Sequence, residues 1–88
     1  MIQEIIKTLD EISANKKNEP FHILGGYIVG TTMVRDDIDD LYQQYPGLEQ
    51  IADIGSELEL SEYDQAYAAT LFKQFQNALT HFKQSLKK

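Results

Sequence analysis

The sequence contains no cysteine and no tryptophan, and only two of its 88 residues are proline. Without cysteine there is no disulfide framework and no thiolate metal site. No apolar run nears the roughly 20 residues that span a bilayer. The amino terminus, Met1-Ile2-Gln3-Glu4, lacks a basic stretch followed by an apolar one. Neither a membrane span nor a signal peptide is therefore expected, and the expected location is cytoplasmic. The most telling absence lies in the middle of the chain, because no lysine or arginine occurs between Asp36 and Asp64.

That stretch holds ten carboxylates: Asp36, Asp37, Asp39, Asp40, Glu49, Asp53, Glu57, Glu59, Glu62 and Asp64. Residues 1–35 balance acids against bases, and residues 65–88 carry lysines alone, so the net charge of −6 originates in the middle. A negative surface of this kind repels nucleic-acid phosphates and anionic lipid, and neither is expected as a direct partner. It suits a basic protein.

The length predicts a single domain over residues 1–88, able to bury roughly 60–65% of its extended surface. Apolar residues recur at helical spacing almost throughout. Ile2, Ile5, Ile6, Leu9 and Ile12 share one side of a helix over residues 2–14. After a polar loop, a stripe runs through Ile23, Leu24, Tyr27, Thr31, Val34, Ile38, Leu41, Tyr42 and Tyr45. It predicts one helix over residues 20–45, about 38 Å long, begun by Pro20 and stopped before Pro46. Residues 21–30 also fit a β-hairpin, two apolar runs about Gly25-Gly26. A lone two-stranded ribbon is barely stable, and the unbroken stripe favours the helix. A third helix over 47–59 faces inward through Leu48, Ile51, Ile54, Gly55 and Leu58. Ser61 is the expected N-cap of a fourth over 62–86, lined by Tyr67, Leu71, Phe75, Ala78, Leu79, Phe82 and Leu86. The expected fold is all-α, a small antiparallel four-helix bundle whose second and fourth helices pack along each other.

The candidate sites follow from these placements. Asp36, Asp37, Asp39 and Asp40, with Glu49, Asp53 and Glu57, form the expected partner-binding surface. Like charges at i,i+4 destabilise a helix by a few tenths of a kcal/mol each, so stability alone does not select them. The same run on a helix brings Asp36 within a turn of Asp40, where hard oxygen ligands suit magnesium or calcium. The spacing is not that of an EF-hand, because Tyr42 stands where the loop needs glycine and Leu48 where it needs glutamate. Glu19-x-x-His22 is half of a di-iron motif whose other half is missing. No serine lies in a nucleophile elbow, His22 and His81 have no evident nucleophile to serve, and the glycines match no phosphate loop. Acid–base or nucleophilic catalysis has little material, and no cofactor is expected.

Small or apolar residues opposite the main stripe, Gly26, Val29 and Met33, define a candidate homodimer seam, with Gly26 and Gly30 allowing close backbone approach. The plainer alternative buries them within one chain. The favoured function is a non-catalytic, adaptor-, inhibitor-, antitoxin- or immunity-like protein binding a basic partner through its negative surface. The alternatives are a small metal-dependent enzyme or sensor built on Asp36–Asp40, and a structural homodimer subunit.

Overall fold

The structure, a computed structural model, describes residues 2–87. Helices account for its regular structure: α1 (Ile2–Ala14), α2 (Phe21–Thr32), α3 (Ile38–Gln44), α4 (Pro46–Glu59) and α5 (Gln65–Leu86). The all-α expectation holds, with five helices in place of four, and residues 21–30 are helical rather than a hairpin.

α1 matches its expected span, and Ile5, Leu9 and Ile12 are buried on its inner side. It ends at Asn15, whose φ of 46° is a left-handed conformation that asparagine tolerates. The Asn15 side chain then ties down the loop, accepting from the Glu19 N–H at 2.9 Å and donating to the Glu19 carbonyl at 3.2 Å.

The single helix expected over 20–45 is instead α2 and α3, separated by an irregular stretch at 33–37. The two ends come together: the Tyr42 hydroxyl donates to the Thr32 carbonyl at 2.6 Å. In a straight helix residues ten apart stand about 15 Å apart, so the chain has doubled back. Local chemistry explains the break. Thr31 and Thr32 turn their hydroxyls onto the carbonyls of Tyr27 and Ile28, at 2.8 and 2.7 Å, which weakens a helix end. An unbroken helix would also stack four aspartates in mid-helix. The break puts Asp37 at the N-cap position of α3 and Asp39 and Asp40 in its first turn, where the helix dipole favours negative charge.

The inner face of α2 is also rotated from the expected stripe. Leu24, Gly25, Ile28 and Thr32 are buried, whereas Ile23 and Tyr27 are exposed and Val34 is 73% exposed. The partner of α2 is chiefly α4, not the last helix. The two helices approach through glycine. A Cβ at Gly25 would stand 2.8 Å from the Glu59 Cα and the Leu58 carbonyl carbon, and one at Gly55 would stand 2.7 Å from the Ile28 Cβ.

α4 begins with Pro46 in its first turn, as the missing proline N–H allows, and buries Leu48, Ile51, Ala52, Gly55 and Leu58. Ile54 is half-buried. α5 starts at Gln65, later than expected. Its cap is Asp64, whose carboxylate accepts from the Tyr67 N–H at 3.0 Å, while Ser61 is buried and donates to the Leu58 carbonyl at 2.6 Å. The core face of α5 carries Ala68, Leu71, Phe72, Phe75, Leu79 and Phe82, so Ala68 and Phe72 replace Tyr67, which is exposed. Phe72 stacks on Phe21 at 5.0 Å, and Tyr45 meets Phe82 edge-on at 6.2 Å. One apolar cluster draws residues from all five helices.

Candidate functional site

The interruption at 33–37 shapes the acidic surface. It releases the aspartate run from a helix interior and folds α3 against α4. Asp36, Asp39, Asp40, Glu49, Asp53 and Glu57 are exposed, and Asp37 is half-buried. Among the described residues the ion pairs are Arg35 with Asp37 at 3.2 Å and Lys83 with Asp10 at 2.8 Å. Asp36, Asp39, Asp40, Glu49 and Asp53 form none there, so none of them is paired with a described lysine of α5.

Tyr42 lies within the field of acids from two helices. Burial lifts the ionisation of its hydroxyl above the usual tyrosine range, and the negative charges of Glu49, Asp53 and Asp39 lift it further. Carboxylates of both α3 and α4 thus act electrostatically on one phenol. A second group surrounds Tyr67 on α5. Its hydroxyl donates to a Glu57 carboxylate oxygen at 3.0 Å, and its ionisation is raised by that bond, by the charge of Glu57, by burial and by Asp64.

The connection between α4 and α5 adds a feature that periodicity did not reveal. Leu60 is 80% exposed and Tyr63 is 95% exposed. They lie in the run Glu57-Leu58-Glu59-Leu60-Ser61-Glu62-Tyr63-Asp64, alternating with exposed acids. Tyr42 and Tyr67 had the appearance of core residues because tyrosine fills an apolar stripe as well as an edge; its polar end was the available signal. The signal for Leu60 and Tyr63 was two large apolar groups inside an acidic connector, outside any helical stripe.

The helical spacing that would bring Asp36 onto Asp40 is absent, since Asp36 lies in the turn before α3. Among the described residues no three histidine or acidic side chains are placed to hold a metal ion. His22 is half-buried at the rim of a groove of about 500 Å³ shared with Asn15, Asn18, Glu19, Ser61 and Glu62, and His81 is exposed.

The seam residues divide. The close backbone approach anticipated at Gly26 and Gly30 occurs instead at Gly25, inside one chain. Gly26 and Val29 are half-buried, Met33 is 41% exposed, and a Cβ at Gly30 would meet nothing within 4 Å. Among the described residues no helix is long and apolar enough to cross a membrane. No protein-family model matches this chain, and no curated protein or solved structure matches it.

Proposed function

We propose that this chain is a non-catalytic binding protein that docks a basic protein partner on the acidic face of α3, α4 and the α4–α5 connection. The observation carrying the reading is the exposure of Asp39, Asp40, Glu49 and Asp53 on the packed pair α3 and α4, with no ion pair to any of the four among the described residues. Repulsion among such carboxylates is a standing cost to the folded chain. A cationic partner relieves it, and the field speeds encounter and selects against acidic competitors more than it adds affinity. The exposed Leu60 and Tyr63 supply what charge alone does not, an apolar anchor inside an acidic rim. An adaptor, inhibitor, antitoxin-like or immunity-like role would use such a surface in the same way.

The test is affinity capture from an extract of the native cell at low and high salt. The bait is the wild-type chain or a variant with Asp36, Asp37, Asp39 and Asp40 changed to asparagine and Glu49 to glutamine. The reading expects a protein retained by the wild type, eluted by salt and lost with the variant, whose circular dichroism stays native. Equal retention by both baits overturns it.

A further inference from the structure

α3 is the least anchored of the five helices. It has seven residues, too few to stay helical alone, so it keeps its form by packing. Leu41 is its single buried residue, against three to six on each other helix. Ile38 and Tyr42 are only partly buried against the apolar cluster. Its chief neighbour is α4. Asp37, at the cap position, makes no capping bond and turns to Arg35 at 3.2 Å. Tyr42 and Tyr45 tie the segment down, the first through its hydroxyl on the Thr32 carbonyl at 2.6 Å, the second edge-on to Phe82 at 6.2 Å. The chain can turn on either side of it. Residues 33–37 are irregular, and Pro46 has no N–H with which to carry on the hydrogen bonds of α3.

Charge opposes the packing of α3 on α4. Residues 33–45 carry Asp36, Asp37, Asp39 and Asp40 against one base, Arg35, which is engaged with Asp37. α4 carries Glu49, Asp53, Glu57 and Glu59 and no base. α2 brings no charged side chain, and no described lysine pairs with Asp36, Asp39, Asp40, Glu49 or Asp53. The first-turn acids Asp39 and Asp40 favour α3 as a helix, but not its approach to a negative neighbour. We infer that residues 33–45 form a flap that lifts from α4 while the other four helices stay folded, and that like charge on α3 and α4 sets how far it opens. Salt, or positive charge laid across both helices, shuts it. The acidic face is whole only in the closed form, so a basic partner, on the function proposed above, draws the flap down as it binds. The flap itself needs no partner and is tested on the chain alone.

The test is native-state hydrogen exchange of the full chain, followed amide by amide in urea below the unfolding midpoint. The Leu41 and Tyr45 N–H groups, bonded to the Asp37 and Leu41 carbonyls at 3.1 and 2.7 Å, report the flap. Leu71 and Phe75, buried on α5, report unfolding of the whole chain. Leu41 and Tyr45 should be protected at least about tenfold less, with little urea dependence, because lifting α3 exposes little surface. Raising salt from about 10 mM to about 1 M shortens the screening length from about 30 to about 3 Å. It should raise their protection about threefold relative to Leu71 and Phe75. Glu49→Gln with Asp53→Asn should do the same at low salt and remove most of the salt response. The pair also takes a favourable first-turn acid from α4, so a general weakening of the fold would move protection the other way. Leu41 and Tyr45 exchanging with the protection and urea slope of α5 overturns the flap. Relative protection that salt and the double variant leave unchanged, or lower, overturns its control by charge.

Discussion

The side chain of Ile28 on α2 lies over Gly55 on α4, and there is no room between them for a methyl group: a Cβ at Gly55 would stand 2.7 Å from the Ile28 Cβ. The reciprocal approach puts Gly25 against the Leu58–Glu59 backbone. The α2–α4 crossing therefore depends on two glycines that ordinary helix propensity would exclude, each costing about 1 kcal/mol relative to alanine in an open helix.

Four glycine-to-alanine changes should separate by position. Gly25→Ala forces a methyl into main chain that cannot rotate away and should destabilise by about 3 kcal/mol. Gly55→Ala meets an isoleucine side chain that can shift a little, and should lose about 1–2 kcal/mol. Gly26→Ala meets only the end of the Glu59 side chain, 3.1 Å away, and should be near neutral. Gly30→Ala meets nothing within 4 Å and should stabilise by about 0.5–1 kcal/mol. Urea midpoints at low chain concentration give the order, and Gly25→Ala as stable as wild type would refute the packing described.

The same residues show how far the sequence could be read. The inner faces of α1, α4 and most of α5 were legible because their buried residues recur cleanly at 3.6. α2 was not, because a helix apolar on every side has no single phase to find, so Ile23 and Tyr27 looked as suitable for the core as Ile28. The break after Thr32 was hidden because the stripe continues across it; what decides it is the Tyr42 hydroxyl on the Thr32 carbonyl, a contact between residues ten apart. The acidic surface was visible as composition. Its focus on Tyr42 and the exposed Leu60 and Tyr63 required the fold.

Tyr42 predicts an alkaline weakness. Its hydroxyl ionises less readily in the folded chain, mainly through burial and then through Glu49, Asp53 and Asp39. Its contribution is thus complete below about pH 10, the unfolded value, and is lost as pH climbs from there through the higher folded value. Tyr42→Phe should lose about 1 kcal/mol at neutral pH, from the bond to Thr32. It should also lose less stability than wild type between about pH 9 and pH 11. Tyr27 and Tyr67 are also raised and remain, so some slope persists. Urea midpoints at the two pH values check it; equal slopes in the two proteins would remove Tyr42 from the account.

The start of α5 distinguishes two neighbouring hydroxyl or carboxylate residues. Asp64→Ala removes the side chain that accepts from the Tyr67 N–H and should cost about 1 kcal/mol. Asp64→Asn keeps an acceptor and should cost little. Ser61→Ala acts elsewhere, leaving the Leu58 carbonyl without its 2.6 Å hydroxyl partner, and should cost about 1 kcal/mol without shortening the helix. Hydrogen exchange at Tyr67 separates the cases: protection there should fall in Asp64→Ala and hold in Ser61→Ala.

Leu60 and Tyr63 stand outside the apolar cluster, at 80% and 95% exposure, so the folded chain gains little from either. Leu60→Ala and Tyr63→Ala should each change stability by under about 0.5 kcal/mol. If the acidic face docks a basic partner, the same changes remove an anchor surrounded by Glu57, Glu59, Glu62 and Asp64. Affinity should then drop by about tenfold or more, chiefly through faster dissociation. Neutralising Asp39 and Asp40 should instead slow association and flatten the salt dependence. Surface-plasmon kinetics on the captured partner resolve the two signatures. A Tyr63→Ala chain that dissociates no faster than wild type would confine the interaction to the carboxylates around Tyr42.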